Sequence, residues 1–158
     1  MEHPVVDAFV AAWDSHNADA LRATLSEDAI YEVVPQGRSF GPDKVAEQVD
    51  FMHSLSSDFS MKAVSVLRDG DRYAVEWELT GVNDGPFGPL GLDPSGRTFN
   101  IRGTWIMEAE NGKVRFCRAY WDFAGLLRQI GATPGGQVEW QMTAWNDELE
   151  TDTPGSGN

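Results

Sequence analysis

The sequence predicts a single α+β domain: a cone-shaped, strongly curved antiparallel sheet with helices packed on its concave side. Three observations carry that expectation. Apolar residues recur at helical spacing through the first third of the chain, and from Met61 onward the period changes to two. Two tetrapeptides, "RDGD" and "ENGK", supply hairpin turns between the strand-like runs. A bent sheet closed by helices encloses an interior lined by alternate strand residues, which makes a ready pocket for a small molecule.

In "PVVDAFVAAWDS", Val5, Val6, Phe9, Val10 and Trp13 fall on one helical face, with Pro4 suited to the first turn. The break "SHN" leads to "ADALRATLS", a short helix that Asn17 can cap. "DAIYEVV" is rich in β-formers and ends at Pro35. "GPDKVAEQVDFMHSL" is helical again, with Val45, Val49, Met52 and Leu55 on one side. Four long strands follow in two hairpins. In the second of them Tyr73, Val75, Trp77 and Leu79 share a face opposite Glu76 and Glu78. A glycine- and proline-rich loop, "GVNDGPFGPLGLDPSG", joins the hairpins and reads as a mobile flap with Phe87 and Leu90 at its apolar tips. It has no GxGxxG pattern and opens no helix, which argues against a phosphate cradle. A last helix over 123–130 stops at Gly131, with Pro134 beyond it. The expected organisation is a domain over 1–135, an extension over 136–150 that packs on the domain or on a dimer partner, and a disordered tail over 151–158.

The 158 residues suffice for one well-packed core, and six tryptophans argue against disorder. A net charge of −13 would repel nucleic acid and anionic membranes. Cys117 is the only cysteine, so neither an intrachain disulfide nor a cysteine-based metal site is expected. No two of the three histidines sit at metal-ligand spacing, and no metal or other cofactor is expected. The acidic N-terminal stretch lacks a basic signal region, and no run is long enough to span a bilayer; a cytoplasmic protein follows as the default.

The chemistry-bearing stretch is "RAYWDFAGLLRQIG", residues 118–131, where a strand runs straight into a helix with Asp122 at the joint. Two roles compete for Asp122. Aspartate just before a helix is a favoured N-cap, worth about 1 kcal/mol. A carboxylate at an apolar pocket can instead be a proton-transfer group, because desolvation favours the protonated form. The roles conflict, since backbone N–H groups and the helix dipole make a carboxylate a weaker base. Alternation puts Phe116, Arg118, Tyr120 and Asp122 on one face and Cys117, Ala119 and Trp121 on the other. If Asp122 points into the cone, Tyr120 and Arg118 should follow it; Arg118 can equally make an ion pair on the convex face.

This layout resembles the SnoaL-like polyketide cyclases of the nuclear transport factor 2-like superfamily, a cystatin-like α+β barrel. The resemblance covers roughly residues 3–131. It rests on the Pro94-Ser95-Gly96-Arg97 turn, the Gly112-Lys113 hairpin, and Asp122 followed by Leu126 to Gly131. It implies that Asp122 moves a proton during an intramolecular aldol closure, without metal or cofactor, and that the protein is a homodimer. There are departures. Val82 and Asn83 stand where the family's loop commonly carries threonine and histidine, and Val33 or Val34 stands where ketosteroid isomerase has its general base. The isomerase's oxyanion-hole aspartate falls near Thr104, which disfavours that reaction.

Asp122, Tyr120 and His53 are therefore the candidate catalytic residues, with Tyr120 a hydrogen-bond donor and His53 the available imidazole helper. Trp13, Tyr31, Trp77, Phe87, Phe99, Arg102, Trp105 and Arg118 are candidates for holding substrate. Aromatic walls suit a flat, hydrophobic partner. The expected activity is general acid/base ring closure on a polyketide-like carbonyl compound in secondary metabolism, as a cyclase, lyase or isomerase. The alternatives are a hydratase, dehydratase, epoxide hydrolase or isomerase in the same pocket, or a non-catalytic ligand-binding module.

Overall fold

A computed structural model describes residues 2–132. The expected extension over 136–150 and the tail over 151–158, with Trp140 and Trp145, lie outside the described residues.

Helix α1 (Pro4–Asp14) opens with proline in its first turn and buries Val6, Phe9 and Trp13. His16 takes a left-handed conformation and breaks the chain direction. Helix α2 (Ala18–Ala23) then starts at Asn17, whose side chain accepts the Ala20 N–H at 3.1 Å. Strand β1 (Leu25–Val33) follows, then one 3-10 turn, the three-residue strand β2 (Arg38–Phe40) and helix α3 (Pro42–Leu55). The long strands are β3 (Ser60–Asp69), β4 (Arg72–Val82), β5 (Thr98–Glu110) and β6 (Lys113–Trp121), and α4 (Phe123–Gln129) closes the described chain. Asn111 and Gly112 both have positive φ, the backbone twist that a tight hairpin between β5 and β6 requires.

The six strands form one curved, mostly antiparallel sheet in the order β2-β1-β6-β5-β4-β3. Three features depart from the sequence expectation. Strand β1 pairs parallel to β6, with Tyr31 beside Cys117, and β2 adds an edge strand where only a loop was expected. The second helix also ends at Ala23, so Leu25 already belongs to the sheet rather than to the helix. Register shifts that leave Val64 of β3 and Arg115 of β6 unpaired bend the sheet. The concave face carries Tyr73, Val75, Trp77 and Leu79 of β4 together with Trp105 and Met107 of β5, all buried. Glu78, on the opposite face, is held by Lys62 at 2.8 Å and Arg102 at 3.4 Å.

The loop after β4 is anchored to the end of α3. Gly85 N–H donates to the Leu55 carbonyl at 3.1 Å, and a Cβ on Gly85 would collide with the Ser54 carbonyl oxygen. Backbone cannot yield as a side chain can. Gly85→Ala is therefore expected to cost about 1–3 kcal/mol, read as a lowered urea midpoint with an unchanged m-value.

Candidate functional site

A cavity of about 80 Å³ lies between the concave sheet face and helices α1, α3 and α4. Strand alternation supplies its floor: Tyr31 and Val33 from β1, Trp77 and Leu79 from β4, Trp105 from β5. Trp13 of α1 and Phe51, Met52 and Gln48 of α3 form one wall. The mouth is framed by Phe87 from the flap, Trp121 from the end of β6, and Phe123 and Leu126 of α4.

The rings form a connected set. Trp105 packs against Phe9 at 4.8 Å and Trp77 at 5.5 Å between centroids, while Trp13 lies 6.3 Å from Tyr31. The Trp105 indole N–H donates to the Tyr31 hydroxyl at 3.2 Å. Trp77 reaches its place because its neighbour on β5 is Gly103; a Cβ there would run into the indole. Tyr31 is the only titratable side chain among the described lining residues. Burial pushes its phenol well above the ordinary value, Cys117 adds to the shift, and the Trp105 N–H opposes it. The buried Cys117 thiol is pushed up likewise.

Those two shifts give a pH dependence. Below about pH 8.5, the ordinary thiol value, Cys117 is protonated in both folded and unfolded chains and has no effect. Above it the unfolded thiol ionises while the folded one retains its proton, so stability falls by up to about 1.4 kcal/mol per pH unit. Tyr31 adds the same trend above about pH 10. Urea melts at pH 8 and 9.5 should show a shallower alkaline loss in Cys117→Ala than in the parent protein.

Of the residues singled out in the sequence, Trp13, Tyr31, Trp77, Phe87 and Trp105 come together around the cavity. Phe99 is buried but is not part of this lining. Arg102 sits on the outer sheet face with Glu76, 3.3 Å away, and Glu78. Arg118 is on the outer face too, bonded to Glu32 at 2.5 Å, and Tyr120 beside it is 45 % exposed. Trp121, from the opposite face of β6, is the one that borders the cavity.

His53 is exposed on α3, 4.6 Å from the His16 ring. His16 in turn stacks on Phe59 and pairs through Nε2 with the Phe59 carbonyl at 2.8 Å. Asp122 is exposed and acts as the N-cap of α4, its Oδ1 accepting the Gly125 N–H at 2.7 Å. Gly125 makes room for this carboxylate, since a Cβ there would strike it. Asp122 is flanked by two mouth residues, Trp121 and Phe123, but is not itself part of the lining. Phe51, Met61 and Phe123 line the cavity without having been singled out. Met61 begins the inward alternation of β3, a signal that was available; Phe51 lies off the main apolar stripe of α3 and gave none.

Among the described residues no helix is long and apolar enough to cross a membrane, and no cluster of three histidine, cysteine or carboxylate side chains could hold a metal ion.

Known structures share this architecture. IdmH from Streptomyces antibioticus, a candidate polyketide cyclase, is 18% identical with a TM-score of 0.72, over 82% of this chain and 99% of that one. AclR from Streptomyces galilaeus, a candidate hydroxylase, is 19% identical with a TM-score of 0.73, over 93% and 92%. A hypothetical protein of ketosteroid isomerase-like fold from Catenulispora acidiphila, crystallised with trimethylamine, is 16% identical with a TM-score of 0.72, over 84% and 96%. At these identities the likeness is one of fold. No curated protein matches the chain. The sequence model of the SnoaL-like polyketide cyclases matches residues 3–130. On that match, which spans both the ring-lined cavity and Asp122 at its mouth, the chain belongs to the SnoaL-like polyketide cyclase family.

Proposed function

We propose that this protein is a cofactor-free acid/base enzyme that closes a ring on a hydrophobic, conjugated carbonyl compound of the polyketide type. In the proposed reaction a carbon acid flanked by carbonyls gives its proton to the Asp122 carboxylate. The resulting enolate carbon attacks a second carbonyl of the same molecule, forming one C–C bond. The alkoxide then takes the proton back from Asp122, so the product has the mass of the substrate. The observation that carries this reading is the position of Asp122 between Trp121 and Phe123, both at the mouth of a cavity with no charged side chain among its described lining residues. A ligand seated there would strip water from the carboxylate and favour proton uptake. Tyr120 and His53 are exposed outside the lining and are proposed at most as aids to substrate entry.

A second reading, a ligand-binding module without turnover, is favoured by the bond from Gly125 to Asp122 and by the exposure of that carboxylate. Incubation with an aromatic β-keto ester bearing a ketone side chain separates the two. Loss of substrate to an isomeric product faster than in buffer supports the enzyme. Tryptophan quenching with no isomeric product supports the binding module.

The proposal includes cytoplasmic residence and pairing of two chains through the outer sheet face, where Leu67 is 71 % exposed and Val64 and Ile30 are also exposed. Light scattering after gel filtration should give twice the 17.4 kDa chain mass; a monomer at tens of micromolar would reject the pairing.

A further inference from the structure

Two buried indole N–H groups have no hydrogen-bond partner among the described residues: those of Trp13 and Trp77. Trp13 is 5 % exposed and Trp77 4 % exposed, and both side chains line the cavity. Buried donors are almost always paired, because leaving one unpaired forfeits its hydration without replacement. Indole nitrogen can only donate, so neither can be satisfied by another donor. A third donor belongs to the same lining. The Tyr31 hydroxyl accepts the Trp105 N–H and has its own proton left to give, and burial keeps that proton on. The remaining polar side chains of the described lining are the amides of Gln36 and Gln48 and the indole of half-buried Trp121, and no carboxylate is among them. The described residues that line the cavity therefore carry unpaired donors and no carboxylate.

We propose that Trp13 Nε1, Trp77 Nε1 and the Tyr31 hydroxyl form a donor site for oxygen atoms of the ligand, so that the cavity selects conjugated ketones over hydrocarbons of the same shape. The proposal rests on the small-molecule reading above and deepens it. The same three donors oppose a carbonyl oxygen as it gains negative charge on enolisation, and they do so where water is excluded. They serve as binding groups in either reading, since holding a carbonyl oxygen requires no turnover. The space is smaller than the roughly 150 Å³ that accommodates benzene in an engineered protein cavity. A two-ring ligand enters by displacing the half-buried side chains Phe51 and Met52 of the wall and Trp121 and Phe123 of the mouth.

The test uses the full chain and two probes matched in ring number, 1-tetralone and tetralin, which differ by one carbonyl oxygen. Calorimetry on the parent protein should show 1-tetralone binding about tenfold tighter, the worth of one good hydrogen bond. In ¹H–¹⁵N spectra, 1-tetralone but not tetralin should move the indole N–H signals of Trp13 or Trp77 downfield. Trp77→Phe and Trp13→Phe should erase most of the ketone preference, read in each variant as the ratio of its two affinities; an undiminished ratio in both variants overturns the donor site. The parent spectra decide the matter should either variant fail to fold. Equal affinity for the two probes with unmoved indole signals overturns the donor site and leaves the ligand-binding reading intact. Binding of neither probe at millimolar concentration overturns both.

Discussion

Asp122→Asn is expected to lower turnover of a cyclisable ketone by two to four orders of magnitude, the usual contribution of a positioned proton-transfer group. Stability and ligand affinity should hardly change. The reason lies in the two roles of this side chain. As a cap, Asp122 accepts the Gly125 N–H through one oxygen, and asparagine caps a helix about as well as aspartate. As a base it must take a proton from carbon, which an amide cannot do. Asn therefore keeps the cap and removes the base. Asp122→Ala removes both and should in addition cost about 1 kcal/mol of stability. The pair separates the readings cleanly: turnover lost in both variants, with stability lost only in the alanine form, identifies a catalytic carboxylate. Full turnover in Asp122→Asn would reduce this residue to a cap. Rates are measured as product formed, stability by urea titration and affinity by tryptophan quenching, so that each quantity is read independently.

How much of this site was legible beforehand depends on the distance over which each signal acts. Alternation along β4 is local, and it placed Trp77 and Leu79 inside and Glu76 and Glu78 outside, as found. The same rule split β6 into its two faces but could not say which was inner. That choice is made by pairing across the fold: β1 lies parallel to β6, so Glu32 sits beside Arg118 and draws it to the outer surface. Nothing within the stretch 118–122 specifies a strand some ninety residues earlier in the chain. With Arg118 outside, Tyr120 goes with it and Trp121 turns to the cavity, the reverse of what a buried Asp122 would have needed. Strand β2 escaped for another reason. Three residues between Gly37 and Gly41 are too few to show a period. The helical candidates fared according to angle: Trp13 lies on the apolar stripe of α1 and faces the cavity, whereas His53 sits just off the stripe of α3 and is exposed.

Trp105→Ala should be the most destabilising single truncation in the cavity floor, by about 3–5 kcal/mol. Trp105 is fully buried and touches the rings of Phe9 and Trp77, so its removal opens a void that a curved sheet cannot close. It also takes away the donor that orients the Tyr31 hydroxyl. Against a typical total of about 5–15 kcal/mol, such a loss leaves a domain near its unfolding threshold. Trp105→Phe keeps an aromatic ring and deletes mainly the N–H, so it should cost closer to 1–2 kcal/mol, combining one lost hydrogen bond with a smaller void. The two variants, compared by urea midpoint at constant m-value, distinguish packing from hydrogen bonding as the source of rigidity in the floor. Near-equal losses would assign the larger part to the Trp105–Tyr31 bond. A loss below about 1 kcal/mol in the alanine variant would mean that the rings move apart freely, and a cavity that loose could not hold donors in register with a ligand's oxygen atoms.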